Sequence, residues 1–278
     1  MRLGVRAHDF GKLPVEELAK KISQKGFRCI QLALSKSIAG LEAGLGRLNP
    51  GMAYHIGKTF DRYGIQIAVL GCYINPVHPD KEERRLQIER FKEHIRYARD
   101  FGCSVIATET GSLNADFSFH PENHGKNAFR ILLESVKELV EEAEKFGVFV
   151  GIEGVTRYVT QSPERVARVL QEIQSNHLQI VFDPVNLISI ENYENQEKVI
   201  CDSFDMFGDR IVALHAKDFV IEEQVVRSVQ AGKGLLNYEL LFGLLKQRKP
   251  YCNILMEDAK VDIMDEGIAY LKGIYERV

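Results

Sequence analysis

Residues 144–153 read EKFGVFVGIE, and they contain the unit from which the rest of the chain is built. A polar helical segment ends at Phe146, Gly147 follows it, and a short apolar run then ends on Glu153. Glycine in the left-handed conformation is the usual stop just past the end of a helix. The same junction of helix, glycine and strand recurs at Gly26, Gly64 and Gly102. This repetition predicts one helix–strand unit that is used repeatedly along the chain.

Short apolar runs alternate with longer amphipathic segments from one end of the chain to the other, without a linker or a low-complexity tract. Eight runs are predicted strands, at 3–5, 29–32, 66–70, 105–108, 149–152, 179–182, 211–214 and 253–256. Helices are predicted at 14–25, 52–63, 82–101, 127–146, 163–174, 238–247 and 263–275, with a weaker candidate at 196–207. This pattern predicts the α/β class and a single-domain (β/α)8 TIM barrel over residues 1–278. An open doubly wound sheet is disfavoured because no GxGxxG follows the first strand.

Composition excludes several classes of protein. The chain is 45% hydrophobic and 27% charged with a net charge of -3, so it lacks the basic excess of a nucleic-acid-binding domain. Five cysteines without paired spacing indicate free thiols in a reducing compartment. No apolar stretch approaches the roughly 18 residues of a membrane span. We therefore expect a cytoplasmic protein with neither nucleic acid nor membrane as partner, and its outer helices are compatible with a homo-oligomer.

Four consecutive predicted strands end on residues of the types that bind metal ions. The runs FVGIE, QIVFD, IVALH and NILME end on Glu153, Asp183, His215 and Glu257. In TIM barrels the chemistry lies at these strand ends, so the four side chains should point at one spot. Three carboxylates there would repel one another unless a cation lay among them. Three oxygen donors and one nitrogen suit Mn²⁺, Mg²⁺, Co²⁺ or Zn²⁺.

Several segments of the chain resemble the xylose-isomerase-like TIM-barrel superfamily. They are GVFVGIEGV, QIVFDPVN, IVALHAKD, the glycine pair in AGKGLLNYELL, and LMED. The resemblance spans essentially the whole chain. The superfamily includes sugar and sugar-phosphate isomerases and epimerases, inosose isomerases and dehydratases, hydroxypyruvate isomerase and endonuclease IV.

The resemblance implies a metal-dependent isomerase or epimerase. Glu153, Asp183, His215 and Glu257 match the family's single metal site, for which Mn²⁺ is the first choice. The implied substrate is a small sugar, a sugar phosphate or a related polyol ketone, chelated through its carbonyl and a neighbouring hydroxyl. Glu153 and Glu257 would also be the catalytic acid and base, moving a proton through a metal-stabilised enediolate. Which glutamate removes the proton is left open.

Two positions depart from the pattern of the ketose 3-epimerases. Asn186 stands where those enzymes commonly have a histidine, and Val159 stands where they often have a glutamate, although Arg157 is retained. Both changes disfavour a free-ketose 3-epimerase. An inosose-type dehydratase that uses the same site is an alternative. An endonuclease IV-like enzyme acting on abasic DNA is a weaker one, because Asn186 replaces a metal ligand of that branch and the chain is not basic.

Five residues are candidate substrate contacts: Asn186, Lys217, Glu109, Arg157 and His78. Lys217, in the HAKD run, would point a cation into the mouth of the barrel, where it suits a carboxylate or a phosphate. Glu109 follows the fourth strand and could bind a sugar hydroxyl, and His78 lies in the loop after the third strand. Gly232-Lys233-Gly234 is either a phosphate-binding turn or a plain turn before a helix.

Overall fold

The computed structural model describes all 278 residues and contains ten strands. In chain order they are β1 Arg2–Arg6, β2 Cys29–Leu32, β3 Gln66–Gly71, β4 Val105–Glu109, β5 Phe149–Glu153, β6 Leu178–Phe182, β7 Ile211–Ala216, β8 Asp218–Glu222, β9 Val225–Val229 and β10 Asn253–Met256. All except β8 and β9 form a closed parallel barrel, in which β1 pairs with both β2 and β10. The predicted (β/α)8 barrel is confirmed, and every predicted strand lies inside an observed one.

Nine helices accompany the strands. They are α1 Val15–Gln24, α2 Leu34–Ser37, α3 Pro50–Arg62, α4 Lys81–Tyr97, α5 Lys126–Phe146, α6 Pro163–Ile173, α7 Gln196–Phe207, α8 Tyr238–Arg248 and α9 Met264–Arg277. The weaker candidate at 196–207 is α7. The segment predicted to continue to residue 101 ends at Tyr97, where hydrogen-bonded turns take over. None of the nine helices has the length and apolar character needed to cross a bilayer.

The glycine junctions have the predicted conformation. Gly26, Gly64, Gly102 and Gly147 all have positive φ, between 62° and 81°. Gly147 is the left-handed C-cap of α5 and leads directly into β5. Each junction therefore turns the chain from an outer helix into the next barrel strand, which sets the direction in which the strand-end residues point.

The barrel interior is filled by apolar residues below its C-terminal end. Residues two apart in a strand face the same side. Ala107, Val181, Ala213 and Leu255 precede four polar residues at the strand ends by two positions, and all four belong to one buried apolar cluster. A larger cluster of 71 residues packs the barrel against its helices. The interior below is packed with apolar residues, and the buried polar residues at the strand ends lie at the C-terminal end of the barrel.

A hairpin that the sequence did not predict follows β7. Strands β8 and β9 pair antiparallel across a turn at Glu223 and Gln224, both of which have positive φ. The usual sequence signal of a tight hairpin is a glycine in the turn, and neither of these positions is a glycine.

Buried Asp218 holds the base of this hairpin. Its carboxylate accepts hydrogen bonds from the backbone N–H groups of Gly232 (3.0 Å) and Leu236 (2.8 Å). Lys233 forms an ion pair with Glu266 at the surface. The contacts of Gly232-Lys233-Gly234 therefore fit a structural turn and give no support to phosphate binding there.

Candidate metal centre

The structure brings the four strand-end residues together. Glu153 ends β5, Asp183 follows β6, His215 lies in β7 and Glu257 follows β10. One ligand atom from each residue lies within 4.8 Å of those of the other three. All four are buried, with between 1% and 8% of each residue exposed. The cluster is thus built on rigid strands at the end of the barrel where the fold places chemistry.

Two side-chain cations lie against the carboxylates of the cluster. The Nζ atom of Lys217 is 2.8 Å from Glu257 Oε1 and 3.0 Å from Asp183 Oδ2. A guanidinium nitrogen of Arg6 is 2.8 Å from the same Glu257 oxygen. Burial opposes ionisation of Glu257, but Lys217, His215 and Arg6 outweigh it and hold its pKa well below the ordinary range. Burial raises the pKa of Asp183 to about 6, against the opposing effect of Lys217.

The two ring nitrogens of His215 have different neighbours. Its Nδ1 atom lies 2.9 Å from Glu257 Oε2 and 3.3 Å from Glu153 Oε1. Its Nε2 atom lies 2.8 Å from the Gln31 side-chain oxygen. Burial by itself lowers the pKa of His215, but Glu153 and Glu257 raise it to about 10. Without a bound cation, the neighbouring carboxylates therefore favour the protonated form of this imidazole.

The residues fit a divalent cation. Asp183 Oδ2 is buried and accepts no hydrogen bond, because the nearby Lys217 ammonium lies outside hydrogen-bonding geometry. Buried carboxylate oxygens usually have a bonding partner, so this oxygen is available to bind a cation. Three carboxylates and one imidazole supply oxygen and nitrogen donors of the kinds that Mn²⁺, Mg²⁺, Co²⁺ and Zn²⁺ accept.

Four of the predicted substrate contacts line one cavity above the cluster. It has a volume of about 620 Å³ and includes Glu109, Arg157, Asn186 and Lys217, with Glu257 among its walls. Asn186 donates a hydrogen bond of 2.7 Å to Glu153 and accepts one of 2.9 Å from Lys217.

The other two of these side chains, Glu109 and Arg157, form no ion pair. Glu109 is the register neighbour of Glu153 in the barrel. Burial, with Glu153 and Glu257 nearby, raises the pKa of Glu109 to about 7. Arg157 is exposed and lies over the Tyr158 ring, 5.0 Å from its centroid. Both can therefore reach a molecule in the cavity without breaking an ion pair.

His78 lies apart from this cavity. Its Nδ1 atom accepts a hydrogen bond of 3.2 Å from the Asp80 backbone N–H, in the turn that leads into α4. Asp80 is the N-cap of that helix, accepting hydrogen bonds from the backbone N–H groups of Glu82 and Glu83. The ring is used to shape a local turn, and the structure does not bring it to the predicted site.

Sequence reasoning missed several residues of the site from the first half of the barrel. A second cavity of about 210 Å³ reaches Glu153, His215 and Glu257, and its other lining residues are Arg6, His8, Lys36, Tyr73, Glu109 and Phe117. Arg6 ends β1, Gln31 lies in β2, and Tyr73 follows β3 by two residues. The strand-end rule, applied to the first three strands as it was to the last four, would have found Arg6 but not the other two, because Gln31 lies inside its strand and Tyr73 lies beyond the end of its strand.

Comparison with solved structures gives the same fold. A D-tagatose 3-epimerase-like protein is 20% identical, with a TM-score of 0.78 over 100% of this chain and 98% of that one. The 3-keto-D-glucoside 4-epimerase from E. coli is 16% identical, with a TM-score of 0.74 over 98% and 99%. A xylose isomerase-like TIM barrel protein from Mycobacterium smegmatis, in complex with magnesium, is 13% identical, with a TM-score of 0.76 over 99% and 95%. At these identities the likeness establishes the fold alone.

Comparison with sequence families is more specific. No curated protein matches the chain. The family model described as a xylose isomerase-like TIM barrel matches residues 18–274, which is nearly the whole chain and includes all four residues of the candidate metal centre. With a closed eight-stranded barrel and the strand-end cluster in place, the chain belongs to the xylose isomerase-like TIM barrel family.

Proposed function

We propose that the protein is a divalent-metal-dependent isomerase or epimerase of a small sugar, a sugar phosphate or a related polyol ketone. The observation that carries this proposal is the buried cluster of Glu153, Asp183, His215 and Glu257 at the C-terminal end of the barrel. Membership of the family and the likeness of fold to proteins described as sugar epimerases support the same class of reaction.

The four residues of the cluster would hold one cation, with Mn²⁺ as the first choice and Mg²⁺, Co²⁺ or Zn²⁺ as alternatives. When bound, the cation would polarise the substrate carbonyl and make the adjacent C–H more acidic. Lys217 and Arg6 keep Glu257 ionised, which is the form of the carboxylate that binds a cation.

Glu153 and Glu257 would be the groups that transfer protons. They belong to β5 and to the end of β10, which are separated by β6 and β7 around the barrel. A substrate at the cluster therefore has one carboxylate on each side. One glutamate removes the proton next to the carbonyl, and the other returns a proton to the opposite face or to the adjacent carbon. Asn186 holds Glu153 in place by its 2.7 Å hydrogen bond.

The polar lining of the large cavity suits a polyhydroxylated molecule. Glu109 accepts hydrogen bonds, Arg157 donates them, and Asn186 and Lys217 present both kinds of group at the edge of the cluster. These residues would bind substrate hydroxyls and leave the carbonyl end at the cluster.

The test is solvent exchange at carbon. The Mn²⁺-loaded protein is incubated in heavy water with a panel of ketoses, ketose phosphates and inososes, and deuterium incorporation beside the carbonyl is followed by proton NMR. We expect exchange with at least one compound and formation of an isomer, and loss of both in Glu257→Gln. A product that has lost water would replace the isomerase with the dehydratase. Absence of exchange with every compound would contradict the proposal.

A further inference from the structure

We propose that Gln31 and Tyr73 form a hydrogen-bonded link from the metal centre to the substrate. In this link Gln31 is a positioning residue that fixes His215 with Nδ1 toward the cluster, and Tyr73 is a residue that donates a hydrogen bond to a substrate oxygen. This inference rests on the proposed function, since it assigns parts of the same site.

The side-chain amide of Gln31 bridges two neighbours. Gln31 is 1% exposed, and its Nε2 atom donates a hydrogen bond of 2.8 Å to the Tyr73 hydroxyl. Its Oε1 atom lies 2.8 Å from His215 Nε2. A carbonyl oxygen can only accept, so His215 Nε2 carries the proton of that hydrogen bond. The other ring nitrogen, Nδ1, is therefore the one that can give a lone pair to a cation.

The opposite amide orientation would have a different chemical consequence. Gln31 would then donate to His215 Nε2, and a neutral ring would carry its proton on Nδ1, where it points at Glu153 and Glu257. A protonated Nδ1 cannot bind a metal ion. The direction of this one hydrogen bond thus decides whether the histidine is a ligand, which is the usual role of the outer partner of a metal-binding histidine.

Tyr73 extends the link to the substrate cavity. Its oxygen accepts the hydrogen bond from Gln31, which leaves the phenolic O–H free to donate elsewhere. The residue lines the cavity of about 210 Å³ that also reaches Glu153, His215 and Glu257. Burial raises the pKa of Tyr73, so the phenol keeps its proton at neutral pH.

The Tyr73 ring is held from two sides. Lys36 Nζ lies 4.1 Å from its centroid, and the His8 ring packs edge-on against it at 6.3 Å. A fixed ring with a free hydroxyl proton is suited to a hydroxyl or carbonyl oxygen of a sugar bound beside the cluster.

The first test measures Mn²⁺ affinity by calorimetry in the wild-type chain, in Gln31→Leu and in Gln230→Leu. Gln230 is a matched control because it is also a buried glutamine, and its amide donates to the Ile263 carbonyl outside the cluster. We expect about 10- to 100-fold weaker binding in Gln31→Leu, the usual effect of losing such a partner, and no change in Gln230→Leu. Equal affinity in Gln31→Leu and the wild type would overturn the positioning role.

The second test is independent of metal binding and of activity. Nitrogen-15 NMR of the histidine rings reports which nitrogen of His215 carries a proton. We expect a slowly exchanging proton on Nε2 in the wild type, with or without a diamagnetic metal such as Zn²⁺, and faster exchange in Gln31→Leu. An unprotonated Nε2 would overturn the inference even if the Mn²⁺ titrations fail.

The role of Tyr73 is tested by Tyr73→Phe. We expect Mn²⁺ affinity within twofold of the wild type and a KM about 2- to 10-fold higher for a compound that exchanges, which corresponds to the loss of one hydrogen bond. An unchanged KM would overturn this part. Absence of Mn²⁺ binding in the wild type would contradict the proposed function, whereas normal wild-type binding with an unaffected Gln31→Leu would contradict only the link.

Discussion

Replacing Lys217 with methionine should destabilise the metal-free protein far more than the metal-bound protein. Lys217 is 5% exposed, and its ammonium lies 2.8 Å from Glu257 and 3.0 Å from Asp183. Methionine has a similar volume but leaves those two carboxylates without this counter-charge. Removing one partner of a buried ion pair costs about 3–5 kcal/mol of unfolding free energy, which is the loss we expect in the presence of a chelator.

A bound divalent cation should offset most of that loss. When Mn²⁺ lies among the carboxylates, Lys217→Met removes only the hydrogen bonds to Glu257 and to Asn186, and the loss should fall to about 1–2 kcal/mol. Binding to the folded state and stability are linked. If the loss of unfolding free energy is about 2 kcal/mol smaller with Mn²⁺ than without it, the variant binds Mn²⁺ roughly 30-fold more tightly than the wild type.

Urea unfolding followed by circular dichroism, in EDTA and in saturating Mn²⁺, measures both losses. Lys198→Met is the matched control, because the Lys198 ammonium forms an exposed helical pair with Asp202 at 2.6 Å. We expect the control to change the unfolding free energy by about 0.5 kcal/mol or less in either condition. Equal losses for Lys217→Met with and without Mn²⁺ would refute the view that Lys217 and a metal ion offset the same charges.

Three further outcomes are expected. Burial lowers the pKa of His94 to about 4, so as the pH falls the unfolded chain takes up a proton before the folded chain does. The free energy of unfolding should therefore fall as the pH drops from 6.5 to 4, and His94→Gln should reduce this pH dependence in urea titrations. Burial and nearby carboxylates raise the pKa of Glu109 to about 7, so it costs stability as the pH rises from 4.5 to 7, and Glu109→Gln should stabilise the metal-free protein at pH 8 by about 1–3 kcal/mol in the same assay. Asp218→Ala leaves the N–H groups of Gly232 and Leu236 without their acceptor, which should cost about 2–4 kcal/mol and speed their amide hydrogen exchange.

The second half of the barrel was predictable because its strand ends carry residues with an obvious chemistry. Glu153, Asp183, His215 and Glu257 each follow a short apolar run, and the barrel brings the ends of parallel strands together. The first half contributes Arg6, whose role is to pair with Glu257. An arginine at a strand end has no ligand chemistry of its own, so only the folded geometry shows what it does.

Other features depend on contacts that no local pattern encodes. The β8–β9 hairpin has no glycine at its turn, and its base is held by the Asp218 carboxylate through backbone N–H groups that follow 14 to 18 residues later. His78 was predicted to face the substrate because its loop follows a strand end, but its ring caps a turn with Asp80. The side chain of a loop residue can hydrogen-bond to a partner nearby in sequence or to a distant one, and the spacing of residues in the sequence does not determine which.

The proposed function depends on Glu153, Asp183, His215 and Glu257 holding one divalent cation. The most direct measurement is Mn²⁺ binding by calorimetry to the wild-type chain and to Asp183→Ala, with circular dichroism to verify that both are folded. We expect one ion per wild-type chain and at least a hundredfold weaker binding in the variant. A folded wild-type chain that binds no Mn²⁺, Mg²⁺, Co²⁺ or Zn²⁺, or an Asp183→Ala chain that binds as tightly as the wild type, would show that these residues are not a metal site.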